Sequence, residues 1–146
     1  MLKKLLATPN EWQWTLLRLA AGIMIFPHGL QKTFGVFGGA GFARQMAGFE
    51  AGHIPAALAF LAIMAEFLGG IGLIAGIFTR VAAFGLLCNM IVGSLLVNLP
   101  NGFFMNWTGQ QKGEGVEFHM LVAAMCIVLI SKGAGAWSVD RVLAKG

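Results

Sequence analysis

Six side chains in this sequence are out of keeping with their surroundings. Arg18, His28, Lys32, Glu66, Glu117 and His119 stand within long apolar runs or at their edges. In hydrocarbon an ionisable group at mid-span costs at least ~2.5–3.5 kcal/mol, so each needs a partner or a task. Two imidazoles, an ammonium and two carboxylates exceed what one structural ion pair requires. Together they can hold a polar ligand or move protons, and histidine titrates near neutral pH as proton-coupled chemistry demands. His28, Glu66, Glu117 and His119 are therefore the candidates for proton transfer. Lys32, Asn98 and Asn101 are candidates for ligand hydrogen bonds, and Phe26, Phe103 and Phe104 for an apolar wall. Arg18 and Glu66 also admit a purely structural reading as a buried ion pair pinning helix register. No metal site is expected, because two histidines and a glutamate without HxxxH or CxxC spacing are a poor ligand set. Cys88 and Cys126 are isolated in apolar runs and read as small core hydrophobes, with the question of whether they meet left open.

The elements that position these residues are hydrophobic throughout. Of 146 residues, 58% are apolar and 11% charged, against about 25% charged in soluble domains. That composition excludes an ordinary soluble globule and intrinsic disorder. The net charge of +4 is spread along the chain, which gives no nucleic-acid footprint. Apolar runs at 12–30, 54–78, 81–99 and 116–131 predict an all-α, four-helix bundle crossing a membrane, built as a single domain over residues 1–146. Thr79-Arg80 makes a tight hairpin of the second and third helices, and Pro100-Asn101-Gly102 ends the third. Phe42, Met46 and Phe49 recur at helical spacing in the first long loop, predicting a short helix on the membrane surface. Lys3, Lys4, Arg80, Lys132, Arg141 and Lys145 fall on one side, against Lys32, Arg44 and Lys112 on the other. This excess predicts cytoplasmic termini. Glu66 then lies near the midplane, Arg18 about 9 Å above the inner boundary, and the remaining polar candidates toward the outer face. Gly69, Gly70, Gly72 and Gly76 suit close helix approach, and Asn89 an interhelical hydrogen bond.

The order of short motifs carries a resemblance. Arg18, Gly22, Phe26, His28-Gly29 and Lys32 form an RxxxGxxxFxHGxxK pattern. Glu66-Phe-Leu-Gly-Gly, Thr79-Arg80, Asn101-Gly102-Phe103-Phe104, Gly115-Val-Glu117 and Gly133-Ala-Gly135-Ala-Trp-Ser138-Val-Asp140 follow. From Leu16 to Asp140 the chain resembles the DoxX family of small bacterial membrane proteins. The resemblance implies a four-helix protein of the bacterial inner membrane associated with redox metabolism. DoxD-like relatives supply a subunit of thiosulfate:quinone oxidoreductase, and others are linked to thiol defence or to quinone and catechol detoxification. It thus implies a quinone as ligand, with His28, His119 and Lys32 donating to its carbonyls and Glu66 and Glu117 relaying protons. No haem, flavin or nucleotide motif accompanies it. The alternatives are a non-catalytic membrane subunit recruiting soluble redox enzymes, and a small-solute or proton transporter. The second lacks the internal repeats usual in transporters. Redox-enzyme partners and a homodimer are further expectations beside the lipid bilayer.

Overall fold

The computed structural model of the chain describes residues 2–145; Met1 and Gly146, the ends of the expected domain, lie outside them. The described residues form seven α-helices and no strand: α1 (Leu2–Leu6), α2 (Trp12–Phe34), α3 (Phe42–Ala51), α4 (Ala56–Ala75), α5 (Thr79–Gly93), α6 (Glu117–Lys132) and α7 (Val139–Lys145). Beyond α5 the chain continues through a π turn, Ser94–Asn98, and a 3-10 turn, Leu99–Asn101. The surface helix expected around Phe42, Met46 and Phe49 is α3, whose Phe42 ring meets Phe60 of α4 edge-on at 6.2 Å. The short helices α1 and α7 were not anticipated; they pack on each other, so both chain ends occupy one end of the molecule.

Among the long helices, α2 packs on α4, α4 on α5, α5 on α6, and α6 back on α2. Ala21, Ile25, Leu73, Leu86, Met90, Val122, Cys126 and Leu129 meet in the middle. Two glycines set the closest approach. A Cβ at Gly29 would lie 2.6 Å from the Phe67 backbone nitrogen, and one at Gly70 would lie 2.9 Å from the Phe26 Cα. Backbones in contact at these levels are the small-residue packing that membrane helices use. The same contact brings Lys32, one turn beyond Gly29, over Glu66.

By length and composition two stretches are able to cross a membrane, Ala56–Ala75 and Thr79–Asn101. The other two expected spans fall short for identifiable reasons. α2 carries Arg18, His28 and Lys32, and the 16 residues of α6 rise only about 24 Å. A hollow of about 720 Å³ runs along α4 and α5, lined almost wholly by apolar residues such as Leu61, Leu68 and Phe84 with Cys88 and Asn89 beside them. Those leucines and Phe84 are exposed, giving the molecule an apolar flank without convergent polar groups.

Candidate functional site

Two polar clusters lie at opposite ends of the helices. At the end shared by the termini, Arg18 is 1% exposed, and its guanidinium is surrounded by backbone carbonyls. Nε donates to Ala134 O at 3.0 Å, Nη2 to Trp137 O at 2.8 Å, and Nη1 to Ile74 O at 2.7 Å and to Leu73 O. The α4 carbonyls belong to its last turn, where orphan acceptors and the negative end of the helix dipole favour a cation. Buried Asp140 completes the arrangement from α7. Its two oxygens accept from the backbone N–H groups of Phe78 (2.7 Å) and Thr79 (2.9 Å) at the start of α5. Asp140 thereby caps α5 in place of Phe78, the residue at the N-cap position, which offers no side-chain cap. Asp140 is also the carboxylate acting electrostatically on Arg18. One cation and one anion thus grip the α4–α5 hairpin from opposite sides, with all three guanidinium nitrogens and both carboxylate oxygens bonded to backbone.

The structure corrects the Arg18–Glu66 pair. All three guanidinium nitrogens of Arg18 are taken by carbonyls, and Glu66 is bound by other residues. The physical reason is capacity: a helix end plus a loop offers a guanidinium several carbonyls, whereas one carboxylate offers two oxygens.

At the other end a cavity of about 210 Å³ is lined by Ile25, His28, Lys32, Glu66, Met90, Asn98, Met105, Glu114, Phe118 and His119. Lys32 Nζ contacts Glu66 Oε1 at 2.6 Å, with the side chains 28% and 5% exposed respectively. Asn89 Nδ2 donates to the same oxygen at 2.8 Å. Glu66 Oε2 and His119 Nδ1 are buried without a partner. His119 is within electrostatic reach of Glu66, Lys32 and His28, and its Nε2 faces Gly93 on α5. His28 is exposed at the rim, its ring 6.0 Å from Phe118. The π turn places buried Asn98 on the cavity wall, in keeping with the tendency of such irregularities to fall at functional sites. Residues 102–116 form the roof, pinned by Val116 N to Gly102 O and Glu117 N to Phe103 O. The Asn98 and Asn101 amides both donate to Glu114 O.

The expected site residues therefore divide. His28, Lys32, Glu66, Asn98 and His119 come together. Glu117 does not join them: its Oε1 accepts from Met105 N at 3.0 Å and Trp107 Nε1 at 3.2 Å, which turns it into the roof. Asn101 likewise braces the roof. Phe26 stacks on Phe67 at 6.0 Å, away from the cavity. Phe103 and Phe104 contact each other edge-on and are exposed, so they do not form its wall. Phe118, Met90, Met105 and Glu114 take the lining positions instead. Asn89 was readable as a hydrogen-bonding residue because it interrupts an apolar run, though its partner was not. Cys126 is buried and Cys88 exposed, both as free thiols.

The DoxX family model matches residues 13–99, more than half of the chain. The chain belongs to the DoxX family. An uncharacterized membrane protein of Mycobacterium tuberculosis is 33% identical over 139 residues, spanning 88% of this chain and 80% of that one. No solved structure matches. Within the stretch matched to DoxX lie Arg18, His28, Lys32, Glu66, Asn89 and Asn98, so the DoxX match covers the α2, α4 and α5 walls of the cavity. The roof and the α6 wall lie beyond it. The protein is a DoxX-family membrane protein.

Proposed function

We propose that the cavity is the ligand site of a membrane component in a quinone-linked redox system. The observation that carries this reading is that two of the four buried side-chain atoms without a partner among the described residues, Glu66 Oε2 and His119 Nδ1, belong to residues lining one cavity; the other two, Thr79 Oγ1 and Arg80 Nε, lie at the opposite end. Buried polar atoms in folded proteins almost always have partners, and two orphans in one small cavity signal a missing one. An apolar pocket with a few convergent polar groups is the usual form of a small-molecule site. The redox half of the reading comes from the family resemblance, and the ligand half from the cavity. His28, Lys32, Glu66 and His119 are its working residues, with Asn98 on the wall; Glu117 and Asn101 serve it by holding the roof.

In this reading all four long helices cross the bacterial inner membrane as a bundle. α1, α7 and the Arg18–Asp140 cluster face the cytoplasm, and the cavity lies in the outer half. Lys4, Arg80, Lys132, Arg141 and Lys145 gather at the terminal end, as the positive-inside bias requires. A reporter fused after Gly146 should register as cytoplasmic, and a periplasmic signal would invert the depth map. Mass spectrometry of lipids and quinones retained by the protein in mild detergent tests the ligand itself. Retention of a quinone, in either redox form, by the wild type and its weakening in Glu66→Gln is the expected result. Absence of any retained ring compound favours the non-catalytic, partner-recruiting alternative.

A further inference from the structure

The bonding of Glu66 dictates what the ligand must bring. Lys32 Nζ and Asn89 Nδ2 both donate to Oε1, the Lys32 contact being an ammonium–carboxylate ion pair. The other oxygen, Oε2, is buried and receives nothing. A carboxylate is acceptor-only, so the group that completes it has to be a donor. A carbonyl oxygen placed there would set lone pair against lone pair, leaving both unsatisfied in a medium of low dielectric. None of the wall's own donors reaches Oε2. Lys32 is committed to Oε1, and Asn98 Nδ2 donates to Glu114 O at 2.9 Å. His119 Nδ1 is a second open position nearby.

Size narrows the class further. A cavity of ~150 Å³ takes a benzene ring, so about 210 Å³ holds one ring with its oxygen substituents. We infer that this site holds the reduced, hydroxyl-bearing form of a single-ring ligand in preference to the carbonyl form, through an O–H···Oε2 bond to Glu66. The inference rests on the ligand-site reading above and deepens it by fixing which form is held. A site built to accept from a hydroxyl rejects analogues lacking that proton far more strongly than it rejects a change of apolar size. For a two-electron couple, each tenfold preference for the reduced form raises the bound midpoint potential by about 30 mV.

The test uses redox-inert probes that differ only in the donor: 4-pentylphenol and its methyl ether. Each is titrated onto the full-length protein in mild detergent, with dissociation constants from ligand-observed NMR. The wild type should bind the phenol at least tenfold tighter than the ether. In Glu66→Gln, whose amide can turn its N–H to the cavity, the difference should fall below threefold. Equal affinities in the wild type would overturn the inference without touching the ligand site, and that comparison needs no variant. A phenol preference that survives in Glu66→Gln, in protein that still melts cooperatively, would also overturn it by moving the acceptor elsewhere. Binding of neither probe would remove the ligand-site reading itself, and the inference with it.

Discussion

The two polar clusters of this protein have the same ingredients and opposite bookkeeping. At the terminal end, Arg18 and Asp140 are buried and their hydrogen-bonding atoms are occupied, mostly by backbone. At the cavity, Glu66 is buried and His119 half-buried, yet each keeps one buried atom without a partner. A satisfied network rigidifies a fold, whereas an unsatisfied one costs stability that a ligand or an ordered water returns. The contrast lies in the two carboxylates: both Asp140 oxygens are taken and one Glu66 oxygen is not, although Thr79 Oγ1 and Arg80 Nε at the terminal end are also buried without partners.

The comparison breaks first at Arg18. Arg18→Met should be the most damaging single change, because it strands four carbonyls, each worth roughly 1–3 kcal/mol when buried and unpaired. A loss of about 4 kcal/mol or more is expected, read as collapse of folded yield or melting temperature in mild detergent. Its effect and that of Glu66→Gln should combine additively within about 0.5 kcal/mol, as for sites without shared partners. A strong coupling between them would restore the ion pair that the structure disallows.

Lys32 and Glu66 come next, with an asymmetry that exposure dictates. Lys32→Met leaves a carboxylate that is 5% exposed without its ammonium, at a cost near 3–5 kcal/mol. Glu66→Gln leaves a lysine that is 28% exposed and free to extend toward the interface, so melting should shift by less than about 1 kcal/mol. Adding Glu66→Gln to Lys32→Met should recover most of the loss, measured as a double-mutant cycle. Equal damage from the two single changes would show the pair to be a stability element like the Arg18 cluster.

Asp140→Asn follows. One of its two oxygens becomes an amide that cannot accept from Phe78 or Thr79, so α5 loses part of its cap, about 1–2 kcal/mol. Probe binding at the far cavity should be unchanged when measured below the melting transition. A concurrent loss of binding would mean the two ends are coupled through the hairpin.

The helical runs, the short helix α3, the tight hairpin and the break around Pro100 were legible because period, length and turn residues are local signals. The grouping of His28, Lys32 and His119 was legible from depth, since polar residues at equal heights in adjacent helices have few other places to go, whereas Glu66 was expected nearer the midplane beside Arg18 and Glu117 was expected in its place. Partner choice was not. Arg18 and Asp140 serve helix ends that lie 55 and 61 residues away in sequence, and nothing local marks a backbone carbonyl as an acceptor. Rotation was equally hidden. Glu117 and His119 are two residues apart, about 200° around a helix, so only one of them can face the cavity.

Glu117 offers the smallest effect and the sharpest reading of that rotation. Its Oε1 accepts from Met105 N and from Trp107 Nε1, and Trp107 is 84% exposed. Glu117→Gln keeps an amide oxygen for one of these donors and loses the charge that strengthens both. The expected cost is about 0.5–1 kcal/mol in melting, with Trp107 fluorescence changed by the loosened indole N–H. Because Met105 and Glu114 of the roof line the cavity, phenol binding should weaken slightly, by less than threefold. If Glu117 instead touched the ligand, binding would vanish while the melt stayed put. That pattern would return Glu117 to the cavity wall and place the roof, not the carboxylate, outside the site.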